Sequence, residues 1–168
     1  MLSPRRLALA AGLAILLAGC ATTPEAPSAD DYQPPAAGAS VATLKGSRIT
    51  EGGMFGDVHT GFVNMIDLKS VFNAADHWDQ PITLTPGRHA IMAEYHFSNF
   101  KARMNLVLTA SAGSSYQLMI KTGHESTLES RLYCDFWIVD TATGAIVAPV
   151  HRAQVMGGKK GTIFNVPT

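Results

Sequence analysis

The segment LYCDFWIVDTATGAIVA, residues 132–148, contains the clearest structural signal in the chain. Every second side chain in its first half is apolar and lies on one face: Leu132, Cys134, Phe136 and Ile138. A period of two is typical of a β-strand with one buried face. The run DTATG at 140–144 consists of residues that favour turns. The segment therefore predicts a β-hairpin, with a return strand at 145–148 that stops at Pro149.

The same two-residue period recurs between turn signals along most of the chain. In the stretch 89–97, the inward face is predicted to hold the apolar residues Ile91, Ala93, Tyr95 and Phe97. The polar residues that alternate with them are expected to face outward: Glu94, His96 and Ser98. Further strands are predicted at 41–49, 62–68, 81–85, 104–110 and 116–121. In the strand at 62–68, one face is predicted to hold Phe62, Asn64, Ile66 and Leu68.

These strands follow one another without interleaved helical patterns. One short helix fits the sequence, at 68–76. Consecutive short strands, joined by loops of unequal length, favour two antiparallel sheets packed face to face. The predicted fold class is therefore all-β, with a single antiparallel β-sandwich domain at 41–168.

The first twenty residues, MLSPRRLALAAGLAILLAGC, have the layout of a secretory signal. Arg5 and Arg6 precede an apolar run that is shorter than the roughly 20 residues a membrane-spanning helix needs. The run ends in LAGC at 17–20, which resembles the lipobox of bacterial lipoproteins. An ordinary secretory cut at the end of the same run is the alternative.

The lipobox resemblance implies cleavage between Gly19 and Cys20 and attachment of diacylglyceryl and N-acyl chains to Cys20. Several acyl chains hold a protein firmly on a bilayer, because each buried methylene contributes about 0.8 kcal/mol. Ala21 stands where an Asp would mark retention in the inner membrane in enteric-type bacteria. The resemblance therefore implies an outer-membrane lipoprotein facing the periplasm, with 1–19 removed and a Pro/Ala-rich linker at 20–40.

Cys134 is the other cysteine of the chain. With Cys20 committed to lipid, it has no cysteine to pair with. An exposed thiol is a liability in an oxidising compartment, and Cys134 lies between Leu132 and Phe136 on the apolar strand face. Cys134 is therefore expected to be buried as a small hydrophobic residue.

The charge balance bears on the class of partner. Removal of 1–19 takes away Arg5 and Arg6 and leaves 11 basic and 13 acidic side chains, a net charge of −2 with neutral histidines. Such a balance offers no electrostatic attraction to nucleic acid or to anionic lipid. No nucleic-acid partner is therefore expected, and contact with the membrane is expected through the lipid alone.

Three acid–histidine pairs raise the question of a metal site: Asp57 with His59, His77 with Asp79, and Glu94 with His96. Side chains two residues apart on a strand project from the same face, so each pair offers two ligands. No two histidines have this spacing, however, and no second cysteine is available for zinc. His59, His77 and His96 are therefore expected to be ordinary loop or strand-edge residues, and no metal or other cofactor is predicted.

Other candidates for chemistry do not match catalytic motifs. The run MGGKKGT at 156–162 lacks the spacing of a phosphate-binding loop, and Ser114 and Ser115 lack the flanking glycines of a nucleophile elbow. Trp137 lies on the less apolar face of its strand, where packing under the second sheet is favoured over an exposed contact patch. These observations favour a protein that is not an enzyme.

Two stretches resemble the β-hairpin core of PEGA-like domains. One is ITLTPGRHAI at 82–91, followed by the turn and strand that begin at 113–116, and the other is WIVDTATG at 137–144. The resemblance implies an Ig-like or PEGA-like sandwich module of the bacterial cell envelope. In the first stretch, His89 follows a Pro-Gly turn and is expected to close it through a backbone hydrogen bond.

The expected function is that of a membrane-anchored periplasmic lipoprotein that binds another envelope component, protein or glycan, without catalysis. A small-ligand or metal carrier that uses the acid–histidine pairs is the first alternative. A hydrolase with a nucleophile, a base and an acid gathered in one cleft is the second.

Overall fold

The computed structural model describes residues 26–36, 40–51, 56–124 and 132–157. The predicted signal segment and Cys20 lie outside these ranges. Within them the chain forms β-strands and no helix, which confirms the all-β prediction. The strands are β1 (Ala42–Lys45), β2 (Ser47–Glu51), β3 (Asp57–Ile66), β4 (Lys69–Ser70), β5 (Ile82–Leu84), β6 (Gly87–Phe97), β7 (Phe100–Ala110), β8 (Ser115–His124), β9 (Leu132–Asp140) and β10 (Ile146–Gln154). None of the described residues belongs to a helix able to cross a bilayer.

The strands form two sheets that pack face to face, as predicted for a β-sandwich. Sheet I has the strand order β10-β9-β8-β1-β5, and sheet II has the order β2-β3-β6-β7 with β4 beside β3. The pairing is antiparallel except between β1 and β8, which run parallel. The prediction of a wholly antiparallel fold is wrong at this pair, because side-chain alternation does not reveal which neighbour a strand takes or in which direction.

The core lies between the two sheets and consists of the apolar faces predicted from the two-residue period. Sheet I contributes Leu44, Leu118, Cys134, Phe136 and Ile138, and sheet II contributes Ile66, Ile91, Ala93, Tyr95 and Leu108. Each large side chain that is fully removed from water stabilises the fold by about 1.5–3 kcal/mol. These residues hold the sheets together, so the outer faces are available for other roles.

The chain passes from sheet I to sheet II at Gly46. The N–H of Gly46 donates to the carbonyl oxygen of Trp78 at 2.7 Å. A Cβ on this glycine would collide with the carbonyl oxygen of Gly61 and lie 2.7 Å from that of Trp78. This close approach requires a residue without a side chain. The single strand predicted at 41–49 is therefore divided into β1 and β2.

A β-bulge at Asn64 changes which face the residues of β3 occupy. Phe62 pairs with Glu94 on β6 and Ile66 pairs with Ile91, and the register shifts by one residue around Asn64. Ile66 consequently lies in the core, whereas Phe62 lies on the outer face of sheet II. The prediction that Phe62 and Ile66 share a face is wrong, because the extra residue inverts the alternation.

Residues 71–80, which we call the cover segment, lie against the outer face of sheet II. Residues 72–79 form consecutive turns, so the helix predicted at 68–76 is absent from the described chain. The N–H of Val71 donates to the carbonyl oxygen of Asn64 at 2.9 Å, which joins the segment to the bulge. Phe62 is only 3% exposed and Ala74 is 8% exposed, as expected for side chains that cover each other.

The last hairpin is formed as predicted, but its second strand is longer. The side chain of Asp140 accepts hydrogen bonds from the N–H groups of Ala142 and Thr143, which fixes the turn. β10 does not stop at Pro149 but continues to Gln154, with an irregular register near the proline. Among the described strands β10 lies at the edge of sheet I, where a missing backbone N–H is tolerated.

Tyr32 of the predicted linker packs on the domain. The N–H of Tyr32 donates to the carbonyl oxygen of Ser70 at 2.7 Å, and its hydroxyl donates to that of Thr83 at 2.9 Å. Its ring packs against the core residues. Burial, and to a lesser extent the charge of Asp67, raise the pKa of Tyr32.

Candidate functional site

In the first predicted acid–histidine pair, the histidine is buried and the carboxylate is exposed. His59 is buried at one end of the core, where its Nδ1 lies 2.7 Å from the hydroxyl of Tyr95 and its ring stacks on Phe97. Asp57 is exposed. The bulky partners of His59 show that it is a core histidine rather than the loop or strand-edge residue that the sequence predicted.

The second pair lies in the cover segment. His77 and Asp79 are both exposed and belong to a series of turns, so the two-residue spacing does not place them on one strand face. Across the described ranges, no group of three His, Cys, Asp or Glu side chains is arranged to hold a metal ion.

The third pair is brought together on the outer face of sheet II. His96 Nε2 lies 2.5 Å from Oε1 of Glu94, both residues being on β6 as the sequence predicted. The Glu94 side chain is only 4% exposed and that of His96 is 29% exposed. A buried carboxylate is costly unless it is hydrogen-bonded and paired with opposite charge, so its partners decide its role.

Arg103 on β7 supplies the second partner of Glu94. Its Nε donates to Oε2 of Glu94 at 2.7 Å, so both carboxylate oxygens are engaged. The two residues are directly opposite in the β6–β7 hairpin, which reverses at Ser98 and Asn99. The cross-strand position therefore holds this pair in place.

The charge state of Glu94 follows from these contacts. Burial raises the pKa of Glu94, but the hydrogen bonds from Arg103 and His96, together with the charges of these groups, lower it by more. The resulting pKa lies below the ordinary value, so Glu94 is ionised at neutral pH. A carboxylate held in this way fixes the positions of an arginine and a histidine.

A cavity of about 310 Å³ adjoins this cluster, between sheet II and the cover segment. It is lined by residues of both: Phe62, Asn64, Val71, Asn73, Ala74, Ala75, Asp76, Glu94, His96 and Arg103. The ring of Phe62 meets that of His96 edge-on, with centroids 4.8 Å apart. Phe62 thus supports His96 from one side while Glu94 holds it from another.

Several polar groups at this cavity remain available to a ligand. The Arg103 side chain is 60% exposed, and its ion pair with Glu94 uses Nε. The side-chain amides of Asn64 and Asn73 form no hydrogen bond with another part of the described chain. The lining, so far as the structure describes it, contains no Ser, Thr or Cys side chain. The arrangement is suited to holding a polar ligand through hydrogen bonds.

His89 closes the turn before β6, as predicted. Its Nε2 donates to the carbonyl oxygen of Thr85 at 2.8 Å. Its Nδ1 lies 2.7 Å from the carboxylate of Asp67. Burial raises the pKa of Asp67, but the hydrogen bonds from His89 and from the N–H of Ala90 lower it by more.

Cys134 is fully buried in the core, which confirms the sequence prediction. Burial, assisted by the charge of Asp135, raises the pKa of its thiol. The thiolate form is therefore strongly disfavoured, and Cys134 is not a nucleophile in this fold.

The sequence favoured packing of Trp137 under the second sheet, and this prediction is wrong. Trp137 lies on the outer face of sheet I, directly opposite Met119, because Phe136 and Ile138 occupy the inner face. Ser115 shares a hydrogen bond with Thr43 where β1 meets β8, so it is a structural residue. Of the run at 156–162, only Met156 and Gly157 lie within the described chain.

Sequence reasoning identified Glu94 and His96 but missed the other polar residues of the cavity, which are Asn64, Asn73, Asp76 and Arg103. Arg103 could have been placed opposite Glu94 by counting outward from a two-residue turn at Ser98 and Asn99. Asn64 enters through a bulge and Asn73 through a series of turns, and neither has a periodic signal.

No protein-family model matches the chain, and no curated protein or solved structure is significantly similar to it. The likeness to bacterial lipoproteins and to PEGA-like domains therefore stays a prediction from the sequence.

Proposed function

We propose that the protein is an outer-membrane lipoprotein, anchored through lipid on Cys20 and facing the periplasm. We propose that its PEGA-like β-sandwich binds another component of the cell envelope, protein or glycan, without catalysing a reaction. The lipobox at 17–20 supports the anchor, and the cavity beside Glu94 supports binding.

The observation that carries the binding function is the fixed cluster of Glu94, His96 and Arg103. Glu94 uses both oxygens to hold its two partners, so it has no oxygen left unengaged to act as a base. The cluster instead fixes two hydrogen-bonding side chains beside a cavity. Such preorganisation favours binding, because less conformational freedom is lost when the partner arrives.

The docking of Tyr32 limits how far the domain lies from its anchor. Eleven residues separate Cys20 from Tyr32, and a fully extended chain spans at most about 3.6 Å per residue. Twelve Cα–Cα steps therefore keep the backbone of Tyr32, which is attached at Ser70 and Thr83, within about 43 Å of the lipidated residue. The proposed partner is accordingly a component close to the membrane surface.

The anchor is tested by growing cells with an alkyne-tagged fatty acid and comparing the parent protein with two variants. The parent and Cys134→Ala are expected to carry the label and to sediment with membranes. Cys20→Ser is expected to lose both properties, because its hydroxyl replaces the thiol that forms the thioether. Label on Cys20→Ser, or membrane retention equal to that of the parent, would exclude the lipid anchor.

The binding function is tested by immobilising the protein and passing detergent-solubilised envelope over it. We expect a component that the parent and Arg152→Met retain and that Arg103→Met does not. Arg152 is a matched control, because it forms the corresponding arginine–carboxylate pair on the outer face of sheet I. If the three proteins retain the same material, or none, the cavity is not the binding surface.

A small-ligand carrier is the second candidate, and the size of the cavity favours it. A volume of about 310 Å³ is at the lower end of the roughly 300–1,000 Å³ of typical ligand sites. A metal is a poorer candidate for this place, since Arg103 and His96 already occupy the carboxylate oxygens. Metal analysis of the purified protein tests this alternative, and a stoichiometric bound ion would support it.

A further inference from the structure

We propose that the cavity between sheet II and the cover segment binds an uncharged saccharide unit. Asn64, Asn73 and the free end of the Arg103 guanidinium are its hydrogen-bonding contacts. This inference rests on the proposed binding function and names the class of partner that the site accepts.

The charges at the cavity disfavour an anionic ligand. Its lining contains two carboxylates, Glu94 and Asp76, against the single permanent positive charge of Arg103. His96 adds a positive charge only when it is protonated. The positive charge of Arg103 is already paired with Glu94 at 2.7 Å. A carboxylate or phosphate on the ligand would therefore meet no net attraction and would face Asp76.

The charges do not suit a cationic ligand either. Glu94 is buried and fully engaged, and Asp76 is an exposed side chain surrounded by water. An ammonium group gains little from a single exposed carboxylate. The charge balance of the site therefore points to a neutral ligand.

The hydrogen-bonding groups match a ligand that both donates and accepts. Each asparagine amide offers an NH2 donor and an oxygen acceptor, the guanidinium end offers donors, and Asp76 offers acceptors. A sugar hydroxyl can donate and accept at the same time, and an acetamido group can do the same through two atoms. A saccharide can thus satisfy a mixed set of this kind.

The backbone that carries the two asparagines and the Arg103 side chain are also held in place. Asn64 is the extra residue of the β-bulge. Asn73 has a φ of 49°, and its carbonyl oxygen accepts hydrogen bonds from the N–H groups of Asp76 and His77. Arg103 is held by Glu94. Because the backbone is fixed at these positions, binding a weakly interacting ligand such as a sugar costs less entropy.

The experiment uses the mature lipoprotein purified in detergent and saturation-transfer NMR with defined sugars. Two probes are neutral disaccharides: cellobiose, and the disaccharide that consists of two N-acetylglucosamine units. The third probe is N-acetylmuramic acid, which adds a carboxylate to N-acetylglucosamine. We expect transfer to at least one neutral disaccharide and weaker or no transfer to the acid. Preference between the two disaccharides tells whether the acetamido group is recognised.

Two variants test the named contacts. Asn73→Gly removes the amide while suiting the left-handed backbone, and Arg103→Met keeps the apolar stem of the side chain. Each loses about one hydrogen bond, so the dissociation constant is expected to rise about 3- to 10-fold. Arg152→Met on sheet I is expected to leave it within about 2-fold.

The inference is overturned if neither neutral disaccharide shows transfer, if the acid binds more tightly, or if Arg152→Met weakens binding as much as Arg103→Met. Circular dichroism of each variant identifies any loss of folding. The fatty-acid labelling of the same preparations keeps the two proposals apart. A labelled, folded protein that binds no sugar contradicts the saccharide site and leaves the lipid anchor standing.

Discussion

The outer faces of the two sheets carry similar side chains in different surroundings. On sheet I, Arg152 forms two hydrogen bonds to Asp135, at 2.8 and 3.0 Å. On sheet II, Glu94 divides its oxygens between Arg103 and His96. A guanidinium group that donates two hydrogen bonds to one carboxylate has fewer N–H donors left for another molecule. The divided carboxylate of sheet II instead leaves the end of its arginine accessible, beside a cavity.

The cover segment causes the second difference between the faces. Under it, Phe62 is 3% exposed and Glu94 is also 3% exposed. On sheet I, Trp137 is only partly buried, and Ile146 and Val150 on β10 are more than half exposed. A stretch of turns laid across a sheet thus buries the carboxylate of the ion pair, while the Arg103 side chain stays 60% exposed.

The largest expected effect comes from the aromatic residues of the two faces. Phe62→Ala is expected to lower the free energy of unfolding by about 3–5 kcal/mol, since it leaves a void under the cover segment. Trp137→Ala is expected to cost about 1–2 kcal/mol, because its ring is only partly removed from water. Urea unfolding followed by circular dichroism measures both. Equal losses would mean that the cover segment contributes no burial of its own.

An intermediate effect is expected from the carboxylates. Glu94→Gln removes a buried charge that serves two partners and is expected to cost about 2 kcal/mol. Asp135→Asn is expected to cost less than about 1 kcal/mol, because its arginine partner is half-exposed. The same unfolding measurement applies, and a larger loss for Asp135→Asn would reverse the comparison.

The smallest effect is expected in the dependence of stability on pH. In the unfolded chain the Glu94 carboxyl takes up a proton near its ordinary pKa of 4.5, whereas in the folded protein it stays ionised to lower pH. The unfolded state then binds more protons, so the free energy of unfolding falls as the pH drops below about 4.5.

Denaturant titrations between pH 3 and pH 7 check this dependence. Glu94→Gln is expected to flatten the acid limb, which is the fall in the free energy of unfolding at acidic pH. Asp67 contributes a loss of the same sign, since its pKa is also lowered. The limb should therefore become shallower without disappearing. An unchanged limb in Glu94→Gln would show that the buried carboxylate is not linked to folding.

Side-chain alternation predicted much of the fold and two of the three residues of the polar cluster. It placed Tyr95 and Phe136 inside and Glu94 with His96 outside, because alternate residues of a strand point to opposite faces of the sheet. It failed where the backbone departs from the regular period, at Gly46 and at Asn64. Bulges and sheet changes depend on contacts with distant residues, which a local pattern does not contain.

The positions of the residues in the cover segment could not be predicted from the sequence for another reason. Asn73 and Ala74 belong to turns, where no period relates sequence to face. Their positions depend on the hydrogen bond between Val71 and Asn64, and on the surface of Phe62 beneath them. Loops acquire their geometry from the sheet on which they lie, so the cavity appears only when both are present.

The irregularity at Pro149 has a consequence for the proposed lipid anchor, which would place many copies of the protein on one membrane surface. Confinement to two dimensions, as proposed, brings the borders of neighbouring sandwiches into frequent encounter. A proline and an irregular register make the β10 edge of sheet I a poor template for an incoming strand. The irregular edge thereby favours separate molecules over edge-to-edge association at the bilayer.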